Sequence, residues 1–99
     1  MLAYSSTDRL LGLLAVTMGQ LDQAMGHFED GLACCREGGY RPELAWTCCD
    51  YSDGLRDRDS EGDRAKALAL LDESLAISRE LGMRLLMERV LSRREIQGT

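Results

Sequence analysis

The sequence predicts an all-α fold in which pairs of helices repeat along the chain. Three observations support this prediction: an internal repeat, apolar residues that recur every three or four positions, and glycines that follow the repeated segments. A repeat length of about 20 to 50 residues is typical of a solenoid, in which each unit buries its apolar face only against its neighbours. A chain of 99 residues has room for one domain, residues 1–99.

The internal repeat becomes visible when the sequence is aligned with itself at an offset of 43 residues. Seven positions between residues 24 and 41 are then identical. The identical pairs are Ala24/Ala67, Leu32/Leu75, Ala33/Ala76, Arg36/Arg79, Glu37/Glu80, Gly39/Gly82 and Arg41/Arg84. Chance is a poor explanation for this similarity, so we expect the two segments to have the same structure.

The first two helices are predicted at residues 5–18 and 21–37. The short turn Gly19–Gln20 between them requires an antiparallel helical hairpin. An apolar stripe at helical spacing marks the second helix. Its members are Leu21, Ala24, Met25, Phe28, Leu32 and Cys35. The second helix ends at Gly38–Gly39, where a left-handed residue closes the last turn without a steric penalty.

The remaining helices are predicted at residues 42–57, 63–80 and 84–96. Pro42 suits the first turn of a helix, where its missing N–H costs nothing. The fourth helix is the second copy of the repeated segment and ends at Gly82. The fifth helix follows that glycine directly.

The small and bulky residues of these helices resemble the tetratricopeptide repeat. That family places a leucine and a small residue on the first helix of each unit, followed by alanine, a bulky residue and a small residue on the second. The matching residues are Leu11, Gly12, Ala15, Gly19, Ala24, Phe28, Gly31 and Leu32 in the first unit, and Tyr51, Ser52, Leu55, Ala67, Leu71, Ser74 and Leu75 in the second. The resemblance implies a right-handed superhelical array of antiparallel helix pairs with about two and a half repeats.

The chain departs from the family pattern at Asp8, which occupies an aromatic position, and in its period of 43 residues instead of about 34. Long helices and the polar segment 57–64 resemble the extended variants at the C-terminal ends of large bacterial signalling proteins. Residues 67–95 carry most of this likeness. It implies a part of a bacterial regulator that works by binding another protein or a peptide.

The composition narrows the classes of partner. The formal net charge of −5 and the isoelectric point near 4.8 disfavour nucleic acids and anionic membranes, which require a cationic surface. No apolar run approaches the roughly 18 residues of a membrane span. A cytoplasmic protein without cofactors is expected.

The resemblance also nominates a binding groove, because the first helices of successive units line the concave face of such arrays. The groove residues it selects are Arg9, Leu13, Trp46, Asp53, Arg56, Arg89 and Arg93, with Val16, Cys49, Ser92 and Ile96 beside them. Arginine and tryptophan concentrate binding energy at protein interfaces. The alternatives are that Trp46 is a packing residue and that Arg89 and Arg93 belong to a solvated helix face with weak ion pairs.

Catalytic and metal chemistry find little support in the sequence. The single histidine, His27, has no nucleophile or acid partner in a recognisable order, so no enzyme activity is expected. Two pairs, Cys34–Cys35 and Cys48–Cys49, could meet as a zinc site or as a disulfide. Adjacent helical residues diverge by about 100°, which makes packing of reduced thiols the simpler interpretation.

The leading hypothesis is a protein–protein interaction module that presents a concave helical groove to a peptide or helix. The alternative is a structural or oligomerisation element that assembles with further copies through the exposed ends of the array. The last helix motivates this alternative, since it holds more apolar surface than one neighbour can cover. Its apolar residues are Leu85, Leu86, Met87, Val90 and Leu91. A small-ligand sensor, the third hypothesis, would require an enclosed apolar pocket.

Overall fold

Five α-helices make up the computed structural model, which describes the backbone of residues 2–98 and the side chains of residues 7–96. The helices are α1 (Leu2–Thr17), α2 (Leu21–Gly38), α3 (Arg41–Arg58), α4 (Asp63–Leu81) and α5 (Arg84–Gly98). The described backbone contains no strand. The all-α prediction with five helices is confirmed, and each predicted end lies within three residues of the observed one.

The five helices form two layers. Consecutive helices pack against each other, and α3 packs in addition against both α1 and α5. Within residues 2–98, α2 and α4 instead meet through long charged side chains, with Glu29–Lys66 at 2.6 Å and Arg36–Glu73 at 2.7 Å. The odd-numbered helices therefore form one layer and the even-numbered helices the other. The shortest dimension of the molecule, 19 Å, is about two helix diameters.

Ion pairs also show the directions of the helices. Arg58, the last residue of α3, lies 3.1 Å from Asp22 at the start of α2. Arg41, the first residue of α3, lies 2.7 Å from Glu80 near the end of α4. Neighbouring helices are thus antiparallel, and helices within a layer are parallel.

The ends of α2 and α4 have the same structure. Gly39 follows α2 with φ 72° and Gly82 follows α4 with φ 69°. In both cases the residue after the glycine donates its backbone N–H to a carbonyl of the last helical turn. Tyr40 donates to Cys35 at 2.9 Å, and Met83 donates to Ser78 at 2.8 Å. This pattern is a Schellman motif. Because the two motifs are 43 residues apart, the repeat detected in the sequence is a repeat of structure.

Replacing either capping glycine with alanine should destabilise the chain. At positive φ a Cβ atom is strained, so Gly39→Ala and Gly82→Ala should each lower the free energy of unfolding by about 1 kcal/mol. Gly26→Ala is the matched control. Gly26 lies inside α2 with open space around it, so this change should raise stability by up to about 1 kcal/mol. Urea denaturation of the three variants tests the difference in sign.

The core lies between the two layers, and equivalent positions of the repeat contribute to it. Phe28 on α2 is fully buried, and its ring stacks on that of Tyr51 with centroids 5.3 Å apart. On the other side Gly12 leaves room for Phe28, since a Cβ atom there would lie 2.7 Å from the ring. Leu71 fills the equivalent buried position on α4. The repeated segments of α2 and α4 therefore supply equivalent parts of one core.

The connection between α3 and α4 is fixed by a charged clamp. Arg58 donates two hydrogen bonds to the carboxylate of Asp63, at 2.7 and 2.8 Å. The same carboxylate accepts the backbone N–H of Ser60 at 3.0 Å. The Arg58 hydrogen bonds hold the pKa of Asp63 below its usual value.

No helix within residues 2–98 combines the length and the apolar character needed to cross a bilayer.

Candidate binding site

The outer surface of the odd-numbered layer carries a cluster of charged side chains around a tryptophan. Four of its members lie on α3 at spacings of three, four and three residues, which places them on one side of the helix. The others come from α1 and α5. We call this surface the arginine–carboxylate face; it consists of Arg9, Glu43, Trp46, Asp50, Asp53, Arg89 and Arg93.

Arg9 joins α1 to α3. Its Nε atom donates to Glu43 at 2.5 Å, and its Nη1 atom donates to Asp50 at 3.1 Å. The Asp50 side chain is only 3% exposed, whereas that of Arg9 is 28% exposed. A buried carboxylate requires a partner, so Arg9 is the hydrogen-bonding cation that allows Asp50 to carry a charge.

The two arginines that α5 contributes to this face contact the carboxylates of α3 in different ways. The Nε atom of Arg93 donates to Asp53 at 2.9 Å. Arg89 instead lies between two carboxylates, 3.9 Å from Asp50 and 4.0 Å from Asp53. These distances are within ion-pair range but too long for hydrogen bonds. Because the Arg89 side chain is 41% exposed, its N–H donors are accessible to a ligand.

Trp46 lies at the centre of the face. Its indole packs partly against the core, and guanidinium groups from two helices approach it. The Cζ atom of Arg9 is 6.0 Å from the ring centroid and that of Arg89 is 5.8 Å away. Both distances suit cation–π attraction. The tryptophan is therefore both a packing residue and a partly exposed surface bordered by two cations.

The directions of the pKa shifts show which member of the Arg9–Asp50 pair is destabilised in its charged form by burial. Burial raises the pKa of Asp50, and the hydrogen bond and charge of Arg9 offset this only in part. Burial also acts against the charge of Arg9, but its pKa is raised because Glu43 and Asp50 outweigh that effect. The two pKa shifts are consistent with each other, because Asp50 is more deeply buried than Arg9 and burial therefore affects its charged form more. Keeping Asp50 ionised costs folding stability.

Five of the seven predicted groove residues come together on this face: Arg9, Trp46, Asp53, Arg89 and Arg93. Leu13 is partly buried on α1 and packs against the core. Arg56 is partly exposed on α3 and takes part in none of the ion pairs recorded among residues 7–96.

Two residues of the face, Glu43 and Asp50, were not predicted. A signal was present, because both lie on the same side of α3 as Trp46 and Asp53. The resemblance selected the carboxylate Asp53 from this side of α3 but not these two. In the structure both accept hydrogen bonds from Arg9 and hold it in place.

The cysteines form part of the core. Cys35, Cys48 and Cys49 are fully buried, Cys34 is partly exposed, and all four are free thiols. Burial, followed by the charges of Asp53 and Asp50, raises the pKa of Cys49 to about 12. Such a thiol is neutral and a poor nucleophile at physiological pH. Among the described residues no cluster of histidine, cysteine or acidic side chains could hold a metal ion.

A concavity lies away from the arginine–carboxylate face, between α2 and α4 and the start of α3. Its volume is about 470 Å³, with Leu44 and Ile77 among the lining residues. Arg36 and Glu73 also line it and pair with each other. Residues of α2, α3 and α4 line this concavity, but none of its lining residues is aromatic, whereas the arginine–carboxylate face is centred on Trp46.

Comparison of the chain with protein-family models, with curated proteins and with solved structures gave no match. The class of the protein follows from its own residues. It is an all-α protein of five helices in two layers, and one layer presents an array of paired charges around a single tryptophan.

Proposed function

We propose that this chain is a protein–protein interaction module of the tetratricopeptide type. In this proposal the arginine–carboxylate face binds a peptide or a helix of another protein. One observation carries it: three helices that are distant in sequence direct charged side chains to one partly exposed tryptophan. Core packing alone does not require this arrangement, and tryptophan and arginine are enriched among the residues that concentrate binding energy at interfaces.

The helix packing supports a curved, superhelical array of about two and a half repeats. In the described part of the chain α3 packs directly against α1 and α5, whereas α2 and α4 meet only through the ends of their side chains. The helices of the odd-numbered layer are therefore closer together than those of the even-numbered layer. A two-layer array curves toward the layer whose helices are closer together, so in this proposal the arginine–carboxylate face is the concave side. Concave surfaces of repeat proteins are their usual binding surfaces.

The charges of the face indicate the kind of partner. Three arginines and three carboxylates alternate across it, so its net charge is close to zero. A partner with both signs of charge is favoured over a uniformly acidic or basic one. Carboxylates already orient Arg9 and Arg93, which reduces the side-chain entropy lost on binding. Arg89 offers free donors, and Trp46 offers an apolar surface.

The biological context that we propose for the module comes from the sequence resemblance alone. We propose that it belongs to a bacterial regulator, acts in the cytoplasm and has no enzymatic activity of its own. Its contribution would be to hold a partner in place.

The chain provides its own probe for this proposal, because Trp46 is its only tryptophan. Peptides selected from a random display library should change the emission of Trp46 when they bind. Arg89→Ala and Arg93→Ala should weaken binding about 10-fold or more, as removal of a hot-spot arginine does.

Arg36→Ala is the matched control for these variants. Arg36 also pairs with a carboxylate, Glu73, but lies on the opposite layer. Its removal should change the affinity less than about 2-fold, since rim and distant charges contribute little. Peptides that bind without altering Trp46 emission, or that lose equal affinity in all three variants, would contradict the proposal.

A further inference from the structure

The outward side of α1 is an uninterrupted apolar surface. Leu10, Leu11, Leu14 and Met18 are 58%, 40%, 51% and 68% exposed. At 100° per residue these four positions fall within about 100° of the helix circumference. Thr7 and Thr17 lie on the same side and are also exposed. We call this surface the α1 stripe; none of its residues carries a charge.

The same positions on α3 are interior contacts. Aligning α1 with α3 at an offset of 40 pairs Gly12 with Ser52 and Ala15 with Leu55, and all four residues are buried. In this register Leu11 corresponds to Tyr51, which stacks on α2.

Two further stripe positions agree with that register, whereas Leu10 corresponds to Asp50, which pairs with Arg9 of α1. Leu14 corresponds to Gly54, which lies beside Met25 and Phe28 of α2. Met18 corresponds to Arg58, which pairs with α2. Leu11, Leu14 and Met18 thus correspond to the positions through which α3 contacts the antiparallel helix α2, but on α1 they are uncovered among the described residues.

The other end of the molecule does not complement this stripe. At the offset of 43, Glu88, Leu91 and Glu95 of α5 replace Ala45, Cys48 and Ser52 of α3. Those three α3 residues are buried, and the backbone carbonyl of Ala45 accepts a hydrogen bond from α4. On α5, Glu88 and Glu95 are exposed carboxylates.

Burying those carboxylates against another copy would be costly. Of the five apolar residues that suggested association through α5, Leu86 and Val90 are buried and Met87 packs against the core. Stacking of copies end to end is therefore disfavoured.

We infer that the α1 stripe pairs with the same stripe of a second copy about a two-fold axis. An interface of this kind is self-complementary, and an uncharged stripe meets itself without repulsion. With the two-fold axis perpendicular to α1, the two helices are antiparallel, as α2 and α3 are. With Leu14 at the axis, Leu10 of each copy contacts Met18 of the other.

The size of this interface sets its strength. The four apolar side chains would bury roughly 400 Å² on each copy, which is less than the roughly 600 to 1,000 Å² per copy of a stable specific interface. A weak dimer, with a Kd on the order of micromolar, is expected. The interface lies on a different side of α1 from Arg9, so it is separate from the proposed peptide-binding face.

Sedimentation velocity over a wide concentration range tests this inference. The wild-type chain should approach twice its 11.0 kDa mass as concentration rises, and Leu14→Glu should remain monomeric because two carboxylates would meet at the axis. Leu85→Glu is the matched control, since Leu85 is 79% exposed on α5 and this variant should still dimerise. A wild-type monomer at every concentration, or a dimer lost in Leu85→Glu and kept in Leu14→Glu, overturns the inference.

A cross-linking variant keeps the test independent of how well Leu14→Glu folds. Cys34, the partly exposed thiol, is first replaced by serine. Leu14→Cys in that background should form an intermolecular disulfide on mild oxidation, whereas Leu85→Cys should form at least about 10-fold less. Equal cross-linking of the two variants would contradict two-fold pairing through α1.

Discussion

Phe28→Ala is expected to leave the chain largely unfolded, with a loss of about 3 to 5 kcal/mol in the free energy of unfolding. Phe28 is fully buried and stacks on Tyr51. A domain of 99 residues has roughly 5 to 10 kcal/mol of stability, so this single cavity removes a large part of it. Urea denaturation followed by circular dichroism measures the loss.

The repeat supplies a matched control for this variant. Leucine occupies the equivalent buried position, Leu71, so Phe28→Leu should cost only about 1 to 1.5 kcal/mol. Gly12→Ala should destabilise the wild-type chain, because the new Cβ would lie 2.7 Å from the Phe28 ring. It should be better tolerated together with Phe28→Leu. Equal costs of Gly12→Ala in both backgrounds would show that Gly12 does not serve to admit the phenyl ring.

Arg9→Ala is expected to lower the free energy of unfolding by about 2 to 3 kcal/mol at pH 7, because it leaves a buried carboxylate poorly paired. Asp50 would retain only Arg89, at 3.9 Å without a hydrogen bond. This loss is smaller than the roughly 3 to 5 kcal/mol typical of a fully buried pair, since Arg9 is partly exposed. Arg9→Ala combined with Asp50→Asn should recover much of the loss, because the stranded charge is then absent.

The effect of Arg9→Ala should depend on pH. Burial raises the folded-state pKa of Asp50 above its unfolded value, so between these two values the folded chain binds more protons than the unfolded chain and stability falls as pH rises. Removing Arg9 raises the folded pKa further. The cost of Arg9→Ala should therefore be smaller near pH 4 than at pH 7. Urea titrations of wild type and variant at both pH values measure it, and an equal cost would show that Asp50 is not the cause.

Local signals were sufficient for the helices. Gly39 and Gly82 marked the ends of α2 and α4 because their positive φ is a property of a few adjacent residues. The apolar spacing around Phe28 likewise identified the buried side of α2. These features depend on local chain geometry, which a sequence pattern carries directly.

The site was harder to predict because it depends on distances between helices. Arg9, Trp46 and Arg89 were nominated from their positions on first helices, but their partners Glu43 and Asp50 were not. Whether a carboxylate is solvated or bound to an arginine depends on how closely α1 and α5 approach α3. The same dependence on distances between helices applies to α5. Leu86 and Val90 are buried by neighbouring helices, and the spacing of apolar residues within α5 does not reveal how closely those helices approach.

The two layers are held by different forces, and this affects how the molecule can deform. Direct packing joins α1, α3 and α5, whereas the half-exposed pairs Glu29–Lys66 and Arg36–Glu73 join α2 to α4. Exposed pairs contribute about 0 to 1 kcal/mol each and are screened by salt. Moving α2 away from α4 would therefore cost little energy as long as both helices stay packed against α3, so added salt should loosen the even-numbered layer before it affects the odd-numbered one.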